Sequence, residues 1–488
     1  MLPRARTLPV FSLLLGALTA DLASQTASPA ALIARAAQAM GGVGALGLRN
    51  KTVEFNTVAF GVGQEETSLS PARATMTTGR IVSDFAGSRQ LTTQEVRLVT
   101  GQINRQRRVT STSMSMLENN GAMQMEGPAV AAGLGRNLSL QIERVIGAAV
   151  NRPDAATSLR PRALRGEMVD GIRLRLGADT IAVWFDRSSG LPLATETITD
   201  DDILGDRRTV TWYTRWQLAG AMWLPRQIDV EINGRLQSHT VVTAATVDQP
   251  MDDALFAIPD SMATRAPRAP ATPAAITVTL ASIAPGVWRA EGGSHHSLVV
   301  EQAAGLLVVE GPQSASRSKA VLDTLNSRFP NKTVSAVVMT HHHWDHSGGI
   351  RAYQARGIRV IAHRRNVDFV RGLAAARKTV APDRLSRGAA PPPVVGVGDS
   401  LVIGRGDERV LLYPLATSHA EGLLAAWVPA AGVVFTSDVV SPAANQPLPR
   451  VGSAELVGFA RALGVTPGRY AGGHGVVVDW SAVEAAAR

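Results

Sequence analysis

Residues 340 to 349 read Thr340-His341-His342-His343-Trp344-Asp345-His346-Ser347-Gly348-Gly349, directly after the apolar run Val334 to Met339. Four potential metal ligands, His341, His343, Asp345 and His346, fall within six positions. In an extended segment residues two apart share a side, so His341 and His343 converge on one point while His342 faces away. Asp345 and His346 are adjacent and must turn toward a second point. Gly348 and Gly349 supply the backbone freedom to leave this turn into a helix. The pattern predicts two divalent ions rather than one, with His342 and Trp344 left to packing and hydrogen bonding around the loop.

An ion needs three or four ligands, and the local motif offers only two to each, so further donors are required downstream. His419 follows the run Val410 to Leu415, Asp438 follows Gly432-Val-Val-Phe-Thr-Ser, and His474 lies in Ala471-Gly-Gly-His-Gly. Each comes shortly after an apolar run, where a strand ends. Taken together, His341-x-His343-x-Asp345-His346 with His419, Asp438 and His474 resembles the metal motifs of the metallo-β-lactamase superfamily over roughly residues 275 to 488. The resemblance implies a four-layer αβ/βα sandwich with the site at the common edge of two facing sheets. It also implies that His341, His343 and His419 hold the first ion, Asp345, His346 and His474 the second, and that Asp438 bridges them. Two departures stand out: Glu310 sits where many members carry Asp, and Ser437 precedes Asp438 where Gly is usual. The chain has no Cys, which rules out disulfides, a thiol nucleophile and the lactamase classes whose second metal uses a thiolate. Imidazole and carboxylate donors suit zinc, with iron or manganese also compatible.

At 488 residues the chain exceeds one ordinary domain, and 45% hydrophobic with 18% charged residues is a globular composition. Arg4 and Arg6 precede the apolar run Leu8 to Leu18 and then small residues, the pattern of a cleavable secretory signal over 1–23. The expected location is therefore exported, periplasmic or secreted, with no stable membrane span once the signal is removed. Residues 27–262 are read as a curved antiparallel β domain. Ala30 to Met40 carries a helical apolar stripe ending at Gly41-Gly42, and period-two segments follow, such as Thr52 to Val58, Thr180 to Phe185, Arg208 to Trp216 and Arg226 to Ile232. The stretch from Ser111 to Pro153 reads as more helical and Met-rich. This organisation, with Gly220-Ala-Met-Trp-Leu-Pro-Arg, bears a general resemblance to periplasmic lipoprotein-carrier-like half-barrels, and Met114, Met116, Met123 and Met125 suit an apolar ligand. Pro, Ala and Arg dominate 263–275, the expected linker. Residues 276–488 form the metal domain, with strands alternating with helices.

These features predict an exported metal-dependent hydrolase in which a water activated by two metals attacks an ester, thioester, lactone or β-lactam bond of a small molecule. Asp345 is the residue expected to orient that water or relay its proton, and Phe435-Thr-Ser-Asp438 looks more like glyoxalase II and related bridged hydrolases. His295 and His296 are candidate substrate contacts from an early loop. Arg364, Arg365, Arg371, Arg377, Lys378, Arg384 and Arg387 cluster in 364–393, which is expected to overhang the metal edge as a lid. That lid motivates a sulfate or phosphate ester as alternative substrate. A third reading is an apolar-ligand-binding protein with a non-catalytic metal domain. The net charge of +9 comes without a basic helix, zinc finger or aromatic-studded strand, so nucleic acid is not an expected partner.

Overall fold

The computed structural model describes residues 27–267, 275–444 and 446–488. The signal sequence expected over 1–23 and most of the linker expected over 263–275 lie outside the described residues. The N-terminal part forms one 13-stranded sheet in which every pairing is antiparallel. The first strand, Asn50–Gly61, pairs with the last, Arg235–Val247, at the centre of the sheet. Two meanders run outward from that pair. The hairpin at Asn233-Gly234 has both residues at positive φ, 47° and 81°, the geometry a two-residue turn between twisted strands demands. One face of the sheet is apolar and covered by the helices Pro29–Ala39 and Ile142–Asn151. Ile33, Ala36 and Met40 there meet Ile146, Ile172, Val183 and Met222. Helices occupy Pro128–Ser139 and Ile142–Asn151, but Ser115–Asn119 and Ala122–Met125 are strands, so the Met-rich stretch is a hairpin and only the second half of 111–153 is helical.

The C-terminal part is a four-layer α/β sandwich. A seven-stranded sheet spanning Thr279–Ala284 to Val394–Val397 faces a six-stranded sheet spanning Leu401–Ile403 to Val478–Asp479. Alternation along each strand builds the layers. In Val334–Met339, Ala336 and Val338 join the core between the sheets, against Leu424, Ala426 and Phe435. Val337 and Met339 turn the other way, onto Val321, Leu325, Ile350 and Tyr353 of the outer helices. Such a strand has no polar face, which is why its sequence is apolar apart from Ser335, whose hydroxyl donates to Leu306 O at 3.2 Å. Fully burying each of these side chains contributes ~1.5–3 kcal/mol. The second sheet does the same, sending Leu423, Ala425, Val434 and Tyr470 onto the helices Arg450–Leu463 and Trp480–Ala487. No helix among the described residues is long and apolar enough to cross a membrane.

The Arg-rich segment is divided: Arg365 pairs with Glu421 at 3.1 Å, two residues from His419, while the part from 376 onward meets the N-terminal sheet. Lys378 pairs with Asp200 of the N-terminal sheet, Asp206 accepts from Thr379 N and Oγ1 at 2.6 and 2.7 Å, and Arg351 binds Asp383 at 2.7 Å. Lys378 and Thr379 are thus engaged by carboxylates of the N-terminal sheet, so 376–387 joins the two halves instead of overhanging the metal edge as a free cationic lid.

Candidate metal centre

The helix after the motif begins only at Trp344, so His341 to His343 are extended, as an alternating arrangement of their rings requires. The rings of His341 and His343 lie 4.5 Å apart, and His342 turns away. Gly348 and Gly349 have negative φ or helical geometry, and their role is space rather than freedom. A Cβ at Gly348 would sit 2.2 Å from Gln313 O, and one at Gly349 would sit 2.0 Å from Ser318 Oγ. The turn is thereby pressed against the first turn of helix Ala315–Arg328.

The loops at the ends of the two sheets bring all seven expected donors together. His341, His343, His419 and Asp438 form one group whose ligand atoms lie within 4.8 Å of one another, and His295, Asp345, His346 and His474 form a second. Asp438 stands between them, with Oδ1 3.7 Å from His341 Nε2 and Oδ2 3.0 Å from His419 Nε2 and 3.3 Å from His346 Nε2. His295 sits inside the second group, its Nε2 3.3 Å from Asp345 Oδ2, whereas the ring of His296 is buried with Nδ1 unpartnered. Sequence reasoning missed His295 as a donor, although its residue type and the flanking Gly292-Gly293 turn were signals in hand.

The chemistry of the unfilled atoms tests whether metal fits. His341 Nε2, His343 Nδ1, His419 Nε2 and Asp438 Oδ1 are buried without a hydrogen-bond partner. Such orphans are costly unless something else satisfies them. In the second group the outward-facing ring nitrogens are held by oxygen, His295 Nδ1 lying 2.9 Å from Ser294 Oγ. His346 Nδ1 lies 3.2 Å from Glu310, and His474 Nδ1 donates to Ser294 O at 2.8 Å. The two remaining lone-pair nitrogens, His346 Nε2 and His474 Nε2, face each other at 3.2 Å. That juxtaposition is repulsive between neutral rings with both lone pairs inward and favourable when a proton or a metal cation is shared by the two. The donor set therefore fits divalent metal.

Electrostatics agree. Burial, then the neighbouring His346, hold His341 well below the ordinary imidazole range, and burial with His419 lowers His343 to about 4. Both are thus neutral, the state a ligand needs. Burial works against ionising Asp438 and Asp345, but His346 and His419 around the first, and His295, His346 and Gln64 around the second, keep both far below the usual carboxylate range. Burial also opposes charge on His346, yet Glu310 and Asp438 draw a proton to it and raise it well above its ordinary value. The site attracts positive charge at the position between the two groups.

Both sequence departures have a structural account. Glu310 is fully buried at φ 79° and accepts from Thr340 Oγ1 at 2.7 Å as well as facing His346, so the longer side chain fixes that ring. Ser437 takes a positive φ of 62°, which explains why Gly suits this position, and its hydroxyl lies 3.1 Å from His346 Nδ1.

Two further contacts come from the N-terminal half. Glu65 O lies 3.0 Å from both His342 Nε2 and His343 Nε2, and Gln64 Nε2 donates to Asp345 Oδ1 at 2.7 Å. Neither residue was singled out in the sequence.

Comparison with known proteins agrees with this geometry. Residues 290–482 match the family model described as the metallo-beta-lactamase superfamily. Among curated proteins, the alpha subunit of 2,4-dinitroanisole O-demethylase from Nocardioides sp. (strain JS1661) is 26% identical over 155 residues, 32% of this chain and 44% of that protein. The chain thus spans less than half the length of this relative. Similar solved structures include a metallo-beta-lactamase from Pontibacter korlensis (16% identity, 43% of this chain and 97% of that one, TM-score 0.35). FIM-1 from Pseudomonas aeruginosa in its mono-zinc form is also similar (16% identity, 44% of this chain and 95% of that one, TM-score 0.35). The family inferred from the His and Asp spacing is the family matched.

Proposed function

We propose that this metallo-beta-lactamase-superfamily domain is a hydrolase working with two divalent ions, zinc by preference, on a carboxyl-derived bond of a small molecule: ester, thioester, lactone or β-lactam. The observation that carries it is the convergence of two donor groups around Asp438, with four buried acceptor atoms left unpartnered. His341, His343 and His419 would hold the first ion, Asp345, His346 and His474 with His295 the second, and Asp438 would touch both. Bound there, divalent metal would lower the pKa of water toward neutrality and polarise the oxygen of the scissile group. Asp345, the most open of the ionised donors with a side chain 41% exposed, is placed to orient water at the mouth and accept its proton.

Lys378 and Thr379 are engaged by Asp200 and Asp206, which takes support from the sulfate or phosphate ester alternative, and carboxyl-derived bonds are the preferred class. Export is supported by the charged-then-apolar start of the sequence alone. A second reading, an apolar-ligand carrier, is favoured by one observation. A cavity of about 370 Å³ lies between the N-terminal sheet and helix Ile142–Asn151, lined by Val53, Phe55, Tyr213, Leu224 and Ile228, and not by the four methionines. That size lies within the range of small-molecule sites.

The deciding experiment measures metal content and hydrolysis of generic ester, thioester, lactone and β-lactam substrates for the wild type, His341→Ala and Asp438→Ala. Stoichiometric metal, activity in the wild type and loss of both in folded variants are expected. Full activity in metal-free protein would overturn the reading, and lipid co-purifying with a metal-free, inactive protein would favour the carrier.

A further inference from the structure

The loop joining strands Asn50–Gly61 and Arg73–Asp84 of the N-terminal sheet reaches into the metal motif, and its contacts follow the donors closely. Trp344 N donates to Gly63 O at 3.1 Å, Glu421 N donates to Glu66 O at 2.9 Å, and Arg73 donates to His419 O at 3.2 Å. With the Gln64 and Glu65 contacts, one loop touches both the local His-Asp motif and the distant His419 segment. The loop is braced from behind. Glu65 is buried, its carboxylate accepts from Gly63 N at 2.7 Å, and it pairs with Arg235 on the neighbouring strand.

A carbonyl has no hydrogen to give, so the rings of His342 and His343 must both donate Nε2–H to Glu65 O, which has two lone pairs to receive them. For His343 this fixes the tautomer and leaves the lone pair on Nδ1, the unpartnered atom that faces His341 and His419. The Gln64 amide does the equivalent for Asp345, engaging Oδ1 so that Oδ2 points at His295 and His346.

We propose that the loop Gly63–Glu66 is an outer shell of the metal centre supplied by the N-terminal domain, making Gln64 and the Glu65 carbonyl positioning groups for Asp345 and His343. This rests on the reading of the two donor groups as metal sites. The loop lies outside the region, 290–482, that the family model covers, so it is a property of this chain's two-part construction. Its consequence is that metal affinity depends on a contact between the two halves of the protein.

The test uses the full chain, stripped of metal and titrated with Zn(II) or Co(II) against a chromophoric chelator. Gln64→Ala is expected to weaken one of the two ions by about 10- to 100-fold while leaving the thermal midpoint of the metal-free protein unchanged. Gln64→Glu, the same size but no longer a donor, is expected to fall at least as far, which separates the hydrogen bond from packing. Gly63→Ala would bring a Cβ within 2.3 Å of the Trp344 ring and lift the loop, and an altered cobalt absorption spectrum is expected. If Gly63→Ala does not fold, the two Gln64 variants decide. Wild-type affinity in Gln64→Ala and Gln64→Glu overturns the proposal while the metal reading stands. Absence of metal binding in the wild type brings down both.

Discussion

The two halves of this protein differ in where their buried, unsatisfied polar groups gather. In the N-terminal sheet polar groups are closed off in pairs: Lys51 with Glu143, His239 with Asp229 at 2.7 Å, and Glu196 with Arg162 and Arg208 at 2.6 and 2.8 Å. The unpartnered polar atoms there, such as Trp184 Nε1 and Trp212 Nε1, are scattered and mostly donors. The C-terminal half also has scattered orphans, such as Trp288 Nε1 and Arg317 Nε, but four of its unpartnered atoms, His341 Nε2, His343 Nδ1, His419 Nε2 and Asp438 Oδ1, belong to one convergent group. A closed pair supports a fold, whereas a set of convergent acceptors is a fold held ready for a cation. The same desolvation cost thus has a structural meaning in one half and a functional one in the other.

That contrast is breakable. The largest expected effect is on chemistry: His341→Ala should lower turnover by at least about 10³-fold, as loss of a metal ligand removes the activated water, with far-ultraviolet circular dichroism unchanged. A variant that keeps wild-type turnover would end the distinction between the halves. Next comes metal itself. Titrating Zn(II) to about 1,000 times its dissociation constant should stabilise the protein by ~4 kcal/mol, read as a rise in thermal midpoint that a chelator reverses. In the N-terminal half, Lys51→Met leaves Glu143 buried and uncompensated and should cost about 3–5 kcal/mol in denaturant unfolding, without changing metal affinity. A drop in metal affinity of the same size would show that the halves are not separable in this way.

The smallest effect sharpens the comparison through pH. Burial, then Arg289 and Arg317, lower His296 to about 4, so the folded protein binds fewer protons there than the unfolded chain between pH 6.5 and 4. Stability should be unaffected by this group above pH 6.5 and fall as pH drops from 6.5 toward 4. His296→Gln should flatten that slope in equilibrium unfolding of metal-free protein, and an unchanged slope would exclude His296 as its source.

The sheets and helices of the sandwich were legible because burial imposes a period. The strand Val334–Met339 and a helix from about Ser316 to Arg328 were read from the order of apolar runs, and the helix spans Ala315–Arg328, with the Ser314 hydroxyl accepting from Arg317 N at 3.1 Å at its start. The strand Thr279–Ala284 escaped notice because it lies at the sheet edge beside the Pro-rich stretch, where only Ile283 is buried. The engagement of Lys378 and Thr379 was illegible for a related reason: charge density says nothing about which carboxylates will meet it, and Asp200 and Asp206 lie far off in sequence.

The sequence alone marked seven candidate metal donors, since few residue types can bind such ions and their spacing after apolar strands is a local pattern. What only the tertiary structure decided is who stands behind those donors. Gln64 meets Asp345 across 281 positions, and Glu65 acts on His343 through its main-chain carbonyl. Every residue carries that group, so no side-chain pattern announces it, and its role exists only once the chain has brought the loop to the ring.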